Sequence, residues 1–224
     1  MRNGRHIAEF YGVGAVLTFA GGYMDAYTYV CRDKVFANAQ TGNMVLMGIK
    51  LINGDLTGAG HYLIPILSFV LGVLIVERIK AQFNEHPRVH WHQLILLIEM
   101  IMLPAVAFIP SSLNNLANIL ISLISAMQYE GFRRLNGSIY ATTMCTGNLR
   151  SGTELLFKFF STRDREILSK SMQFYGIILI FIAGAAAGAV LTKMIGIRSI
   201  LLTLVGLLAA LIILKTDDDK LKQG

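Results

Sequence analysis

Long apolar runs, separated by short charged segments, constrain the fold of this chain more than any other feature. Six runs approach the roughly 20 residues that an α-helix needs to cross the ~30 Å apolar core of a bilayer. They are Tyr11–Val30, His61–Val76, Trp91–Ile109, Leu113–Tyr129, Met172–Leu191 and Ser199–Leu214. Hydrophobic residues make up 54% of the chain and charged residues only 15%, which excludes an ordinary soluble globular domain. The sequence therefore predicts an all-α polytopic membrane protein, surrounded by a lipid bilayer.

An internal duplication divides the chain into two halves. The stretches Gly21–Asn43 and Ala126–Asn148 have the same layout, 105 positions apart. The offset aligns Asp25 with Glu130, Tyr27 with Phe132, Thr41-Gly42-Asn43 with Thr146-Gly147-Asn148, and Trp91–Ile109 with Gly196–Leu214. Repeats at a fixed offset in a membrane protein are typical of transporter folds. We expect one membrane domain over 1–224, with repeats at about 10–110 and 113–214 and a charged tail at 215–224.

Each repeat also contains an apolar segment with a polar centre that carries the Thr-Gly-Asn motif. These segments are Val35–Ile52 and Tyr140–Phe157, and the second contains Arg150. A charge at the bilayer centre costs about 2.5–3.5 kcal/mol on insertion scales. We therefore expect two short re-entrant or broken helices, which leaves about six transmembrane helices, three in each repeat. Because each repeat would cross the membrane an odd number of times, the second repeat would begin on the opposite side and be inverted relative to the first.

The distribution of basic residues favours the same topology. With six spans and a cytoplasmic N-terminus, 15 of the 20 Lys and Arg residues fall on the cytoplasmic side, whereas eight spans divide them almost evenly. Cytoplasmic loops of membrane proteins carry an excess of Lys and Arg. We therefore expect both termini in the cytoplasm. This placement also accounts for the net charge of +6, so no nucleic-acid partner is expected.

The two motifs are the predicted working centre. Thr and Asn are good N-cap residues and Gly permits a sharp reversal, so a half-helix beginning at each motif would direct its N–H groups towards the midplane. The predicted site comprises Asp25, Thr41, Gly42, Asn43, Glu130, Thr146, Gly147 and Asn148. Half-helix N-termini suit an anion or a carbonyl-bearing solute, whereas the two acids suit a cation or a proton. The sequence does not favour an anionic or carbonyl-bearing solute over a cation or proton, or the reverse.

Structural interpretations of the same residues stay open. Asp25 would pair with Arg32, and Glu130 with Arg133 or Arg134, if both acids lie at the interface. The Thr-Gly-Asn motifs would serve as packing turns if they only let helices approach closely. Glu99 is a lone acid in an apolar run, and it suits either a proton site or an interhelical hydrogen bond. Tyr27 and Gln40 are secondary site candidates.

The quoted stretches resemble one family. GGYMDAYTYV followed by FANAQTGNMVLMG, and AMQYEGFRRL followed by ATTMCTGNLRSG, are similar to the YoaK family of bacterial inner-membrane proteins, a domain of unknown function. The resemblance implies an inner-membrane location and about six helices, but no established activity. Its signature positions are Asp25, Thr41, Gly42, Asn43, Gln128, Thr146, Gly147 and Asn148. Glu130 departs from the small or polar residue expected there.

The sequence leaves three candidate functions. The leading one is a transporter or channel for a small solute or ion, with its site at the two motifs and Asp25. The alternative is a structural or regulatory partner of another membrane protein, which would have a dry, packed centre. An intramembrane enzyme ranks last, because no His lies in the polar-centred runs to activate Thr41 or Cys145. We expect no enzyme activity, metal or cofactor, and a homodimer suits so small a body.

Overall fold

The structure, a computed structural model, describes the backbone of residues 3–83, 91–132, 134–135, 138–139 and 145–222. Within these ranges the chain forms eight α-helices. They are α1 (Asn3–Cys31), α2 (Gln40–Ile52), α3 (Leu56–Phe83), α4 (Trp91–Phe108), α5 (Asn114–Gly131), α6 (Cys145–Thr162), α7 (Arg165–Ile195) and α8 (Thr203–Lys222). Short 3₁₀ helices at Ser111–Leu113 and Gly196–Leu202 precede α5 and α8. The expected all-α architecture is confirmed, apart from an antiparallel pair of two-residue strands, β1 (Arg134–Leu135) and β2 (Ser138–Ile139).

Membrane-spanning character is confirmed in part. Among the described residues, three segments are long and apolar enough to cross a bilayer: Leu56–Phe83, Trp91–Phe108 and Arg165–Thr216. The third segment includes all of α7 and most of α8, and Gly196, with φ of 73°, ends α7 within it. Helices α1 and α5 are not among the three. The physical reason is their interior position, since α5 buries eleven of its eighteen residues and several of those are polar.

The two repeats exchange helices with each other. Helix α1 packs on α7 and α8 of the second repeat, and α5 packs on α3 and α4 of the first. The two short helices stay within their own repeat, α2 against α3 and α6 against α7. With α1–α4 aligned on α5–α8, each contact of one repeat therefore has its counterpart in the other. The duplication read from the sequence is thus also present in the packing.

Small residues set the closest contact, between α1 and α7. A Cβ built on Gly22 would lie 2.1 Å from the carbonyl oxygen of Phe181, and one on Gly184 would lie 2.1 Å from that of Phe19. A Cβ on Gly188 would meet the carbonyl of Tyr23 at 2.6 Å. Backbones this close leave no room for side chains, as at other small-residue interfaces of membrane helices. The small-residue surface of α7 is therefore a packing surface against α1.

Pairwise contacts give the relative directions of the helices. Positions along α1 and α7 rise together, from Phe19 beside Gly184 to Tyr23 beside Gly188, so these helices are parallel. Helices α3 and α5 are parallel as well, since His61 meets Asn115 near one end and Lys80 meets Glu130 near the other. Helix α8 runs antiparallel to α1, since Tyr27 meets Ile197 just before α8 and Gly12 lies beside Ile213 within it. Helix α4 runs antiparallel to α5, since Ile95 meets Gly131 and Glu99 meets Gln128.

Candidate functional site

The chain doubles back beside α1 before α2 begins. Asp33 and Lys34 adopt left-handed backbone angles, with φ of 63° and 60°, directly after α1. The side chain of Asn38 then donates to the carbonyl of Gly21 at 3.0 Å. Gly21 lies ten residues before the last residue of α1, which corresponds to about 15 Å along the helix. Helix α2 therefore begins beside the middle of α1.

Asp25 lies at the N-terminal end of α2. Its Oδ1 accepts a hydrogen bond of 2.6 Å from the backbone N–H of Asn38, and the N–H groups of Ala37 and Ala39 also act on the carboxylate. These N–H groups precede the first helical residue, Gln40, where the positive end of the helix dipole lies. Asp25 is 6% exposed, so this contact is largely shielded from solvent. The acid thus neutralises the end of α2 that was expected to attract an anion.

Asn43 stabilises the segment that precedes α2. Its Oδ1 accepts from the backbone N–H of Phe36 at 3.0 Å, and its Nδ2 donates to the carbonyl of Phe36 at 2.8 Å. The same Nδ2 donates to Oε1 of Gln40 at 2.9 Å. With the side chain fully buried, these bonds fix the chain between α1 and α2. Asn43 is therefore a structural residue in this arrangement.

Two details of the sequence prediction are wrong. The N-cap position of α2 is Ala39, so Thr41, Gly42 and Asn43 lie inside the first turn rather than capping it. Gly42 is helical, and among the described residues the glycines with positive φ are Gly54 and Gly196. What Gly42 supplies is space, because a Cβ there would lie 2.9 Å from the ring of Phe36. Two left-handed residues after α1 make the reversal instead.

The second motif occupies the equivalent place in α6. Helix α6 begins at Cys145, 105 positions after the start of α2, with Thr146, Gly147 and Asn148 in its first turn. It runs antiparallel to α7, because only Arg163 and Asp164 separate the two helices, and the carbonyl of Gly152, ten residues before the end of α6, accepts from Ser171, six residues into α7, at 2.7 Å. Its first turn consequently lies beside the middle of α7. The residues directly before α6, 140–144, lie outside the described residues.

A cavity of about 820 Å³ separates the first turns of α2 and α6. This volume falls within the range of small-molecule sites, roughly 300–1,000 Å³. Its polar lining consists of Asp25, Tyr29, Asn38, Gln40, Thr41, Cys145 and Thr146. Its remaining walls are apolar and include the aromatic rings of Phe36, Phe69 and Phe181. Both repeats thus contribute their motif to one partly open space.

The sequence-predicted residues divide into two groups. Those that line the cavity are Asp25, Gln40, Thr41, Thr146 and Gly147. Those outside its lining are Tyr27, Gly42, Asn43, Glu99, Gln128, Glu130 and Asn148. Asn148 is 2% exposed in the first turn of α6, and a Cβ on its neighbour Gly147 would meet no atom within 4 Å. In both motifs, therefore, the threonine faces the space and the asparagine is buried.

Tyr27 and Glu130 have partners elsewhere. Tyr27 donates from its hydroxyl to the carbonyl of Ile197 at 2.9 Å, which ties α1 to the segment before α8. Glu130 accepts from Lys80 of α3 at 2.6 Å. The side chains of Arg133 and Arg134, considered above as its partners, lie outside the described residues. Glu130 is thus engaged in an ion pair that joins α3 to α5.

Arg32 does not pair with Asp25. Its guanidinium is fully buried and donates to the carbonyls of Val106 and Ile109 at 3.0 Å, to Oδ1 of Asn114 at 2.9 Å and to the hydroxyl of Tyr27 at 3.1 Å. The last carbonyls of a helix have no partners within it and carry the negative end of its dipole. Arg32 satisfies those of α4, so the pairing of Asp25 with Arg32 considered from the sequence is absent.

Sequence reasoning missed the aromatic walls. Phe36 lies between the helices and stacks on Tyr29 with ring centroids 5.1 Å apart, while Phe69 and Phe181 come from α3 and α7. Phenylalanine in an apolar run carries no signal that separates a lipid-facing ring from a cavity-facing one. Only Phe36, which precedes the first motif by five positions, stood inside the stretch singled out by the repeat.

Electrostatically the cavity has one charged lining residue in the described part of the chain. That residue is Asp25, and no Lys, Arg or His is found among the described residues of the lining. An anion would therefore meet no basic partner there, and α2 already has its positive end occupied by Asp25. Neutral solutes and cations fit these surroundings better.

Comparisons with known proteins agree with this description. The model of a family described as "Protein of unknown function (DUF1275)" matches residues 13–214, which include both repeats and both motifs. No curated protein and no solved structure matches the chain. The match confirms the resemblance to the YoaK family, which is a DUF1275 family. This helical chain, with its paired Thr-Gly-Asn motifs around one cavity, belongs to the DUF1275 family of proteins of unknown function.

Proposed function

We propose that the protein is a transporter or channel for a small solute, and that the cavity between α2 and α6 is its site. The observation that carries the proposal is the convergence of both motifs, with Asp25, on one space of about 820 Å³. A structural partner protein was expected to have a dry, packed centre at this place. A cavity of this size favours transport over that alternative.

The architecture that we propose has six spans in two inverted repeats. Arg32, which follows α1, binds the end of α4 and the start of α5, so α1 ends where α5 begins and these two helices run in opposite directions. The parallel pairs α1–α7 and α3–α5, with the antiparallel pairs α1–α8 and α4–α5, then make α1, α3 and α4 antiparallel to their equivalents α5, α7 and α8. Helices α1 and α5, shielded by the more apolar α3, α4, α7 and α8, complete the six.

In this architecture α2 and α6 are re-entrant helices that begin near the midplane. Each of the two starts beside the middle of a long helix and runs back to the membrane face from which the chain entered. The chain enters from one face before α2 and from the opposite face before α6. Non-helical backbone at membrane depth is tolerated where protein or a water-filled cavity surrounds it. With the basic residues counted above, the N-terminus, C-terminus and entrance of α6 face the cytoplasm of a bacterial inner membrane.

The solute that we propose is small, neutral or singly positive, and partly apolar. Asp25, Gln40, Thr41 and Thr146 supply a polar side with mainly hydrogen-bond acceptors and hydroxyls, opposite the rings of the aromatic walls. Rings of this kind hold apolar groups and, through their faces, cations. The binding residues act without chemistry on the solute, in line with the expectation that the protein is not an enzyme.

An occlusion experiment tests the proposal. Proteoliposomes are exposed to guanidinium, tetramethylammonium, urea, glycerol or lactate, and solute entry is followed by light scattering after osmotic shock. Gly147→Leu would project a side chain into open space, whereas the matched Gly147→Ala adds one methyl group there. We expect entry of at least one cation or neutral solute in the wild type and in Gly147→Ala, and its loss in Gly147→Leu. Equal entry through Gly147→Leu would refute the cavity as the path, and entry of lactate alone would refute the proposed solute chemistry.

A further inference from the structure

A second polar site lies apart from the cavity, at the contact between α4 and α5. Glu99, in the middle of α4, is fully buried. One of its carboxylate oxygens, Oε2, lies 3.5 Å from Nε2 of Gln128, at the long limit of a hydrogen bond. The other, Oε1, has no partner among the described residues. Glu99 is therefore a buried acid whose carboxylate oxygens lack adequate hydrogen-bond partners.

A row of polar side chains on α5 leads away from Glu99. Its members are Asn114, Asn118, Ser122, Ser125 and Gln128, and all are buried. Spacings of four, four, three and three residues put them on one face of the helix. An oxygen atom of each of the last four lacks a hydrogen-bond partner within the described part of the chain. The row covers about 21 Å of helix length and ends at Arg32, to which Asn114 and Asn118 are bonded.

The first repeat shows that packing does not require these polar residues. At the positions 105 residues earlier, the last four members of the row, Asn118, Ser122, Ser125 and Gln128, correspond to apolar or aromatic side chains on α1, namely Val13, Leu17, Ala20 and Tyr23, whereas Asn114 corresponds to Glu9. Glu99 corresponds in the same way to Leu204 of α8. The α1–α8 contact thus achieves the equivalent packing without an acid. Since an unpartnered buried polar group destabilises a fold, the second set is expected to serve a function.

The charged groups around Glu99 are bound elsewhere. Lys80 of α3 pairs with Glu77 and with Glu130 of α5. Arg32 binds the far end of α4, and Arg198 of the 3₁₀ segment lies over the ring of Phe108. On α8, Lys215 is exposed at the end of the described side chains. No described cation therefore compensates Glu99, and a bare carboxylate here would be far costlier than a neutral acid.

We propose that Glu99 is a proton-binding site, that Gln128 is the partner of the bound proton, and that the adjoining polar row of α5 forms the polar surroundings of this site. The proton adds to Oε1 of Glu99, and the new O–H donates to Oε1 of Gln128 after a small reorientation of the two side chains, while Nε2 of Gln128 remains the donor to Oε2. This single hydrogen bond gives partners to both orphaned groups.

The site extends the proposed function by supplying a coupling proton, and in that respect it rests on the proposed function. Its occupancy is nevertheless measurable without any solute. Infrared difference spectra of the full-length protein in lipid vesicles, recorded in H₂O and D₂O, report the C=O stretch of protonated carboxylic acids. Entry of solutes in the occlusion experiment is a separate readout, so either claim can fail while the other stands.

The variants are Glu99→Gln, Gln128→Leu and the control Glu154→Gln, whose carboxylate is exposed on α6. We expect a protonated-acid band at neutral pH that disappears in Glu99→Gln, persists in Glu154→Gln and shifts in frequency in Gln128→Leu. The frequency shift in Gln128→Leu distinguishes a protonated Glu99 from a Glu99 with a merely structural role. This measurement remains informative even if Glu99→Gln does not fold. Absence of a Glu99 band from mildly acidic to mildly alkaline buffer would overturn the proposal. A band that responds to Na⁺ at constant pH would also overturn it, in favour of a sodium site.

Discussion

Replacement of Gly184 by alanine tests the contact that joins the two repeats most closely. The new Cβ would lie 2.1 Å from the carbonyl oxygen of Phe19, whereas carbon–oxygen contacts in proteins are normally about 3.3 Å or longer. The two helices would have to separate by about 1.2 Å, or their backbones would have to bend. Overpacking of this kind costs about 1–3 kcal/mol, and the obstacle is backbone rather than a flexible side chain. We expect Gly184→Ala to lower the stability of the fold by that amount.

The measurement is unfolding of the purified protein by denaturing detergent, followed by circular dichroism. Gly48→Ala is the matched control, because Gly48 lies on an exposed part of α2 and a Cβ there meets no atom within 4 Å. Since alanine is the better helix former, this control should be neutral or more stable by up to ~1 kcal/mol. If Gly184→Ala proved as stable as the control, the close approach of α1 and α7 described here would be wrong.

Three further predictions concern residues with defined partners. Asn43→Ala removes three hydrogen bonds and leaves the backbone of Phe36 unpaired, so we expect a loss of about 1–3 kcal/mol in the same unfolding assay, against no change for the exposed Asn53→Ala. Arg32→Leu should destabilise by several times as much as Arg150→Leu, because Arg32 satisfies the end of α4 whereas Arg150 is in an exposed pair; equal effects would contradict this assignment. The Lys50 ammonium, with the N–H of Gly58, lowers the pKa of the Asp55 carboxyl. Its stabilisation is therefore present above the unfolded pKa and lost as pH falls through the folded one, so Asp55→Asn should flatten the acid side of the stability–pH profile, and an unchanged profile would count against the pair.

The repeat made part of this structure predictable. Because the offset of 105 follows from aligned residues, it correctly related the start of α2 at Gln40 to that of α6 at Cys145. It also related the start of α4 at Trp91 to the 3₁₀ segment that begins at Gly196. Apolar length predicted six runs, and those in α3 and α4, with the stretch from α7 into α8, are long and apolar enough to span a membrane. These features depend on local sequence, so they can be predicted from a single amino-acid sequence.

Features that depend on tertiary contacts were not predictable in the same way. Thr41 and Asn43 are two positions apart, yet one lines the cavity and the other binds Phe36. Their roles depend on how α2 is rotated against α1, which the motif does not specify. Similarly, nothing near Arg32 in the sequence indicates that its partners are the carbonyls of Val106 and Ile109, more than 70 positions away.

Thiol labelling of the two cavity threonines tests the central claim most directly. Thr41→Cys and Thr146→Cys are made in a background without Cys31 and Cys145, in sealed vesicles of known orientation. Ile121→Cys is the buried control, and Asn53→Cys and Thr162→Cys are exposed controls. The account predicts that a membrane-impermeant thiol reagent labels both threonine positions, and that Gly147→Leu protects them. If neither position is labelled from either side while the exposed controls are, the two motifs do not line an aqueous path and the transport proposal is contradicted.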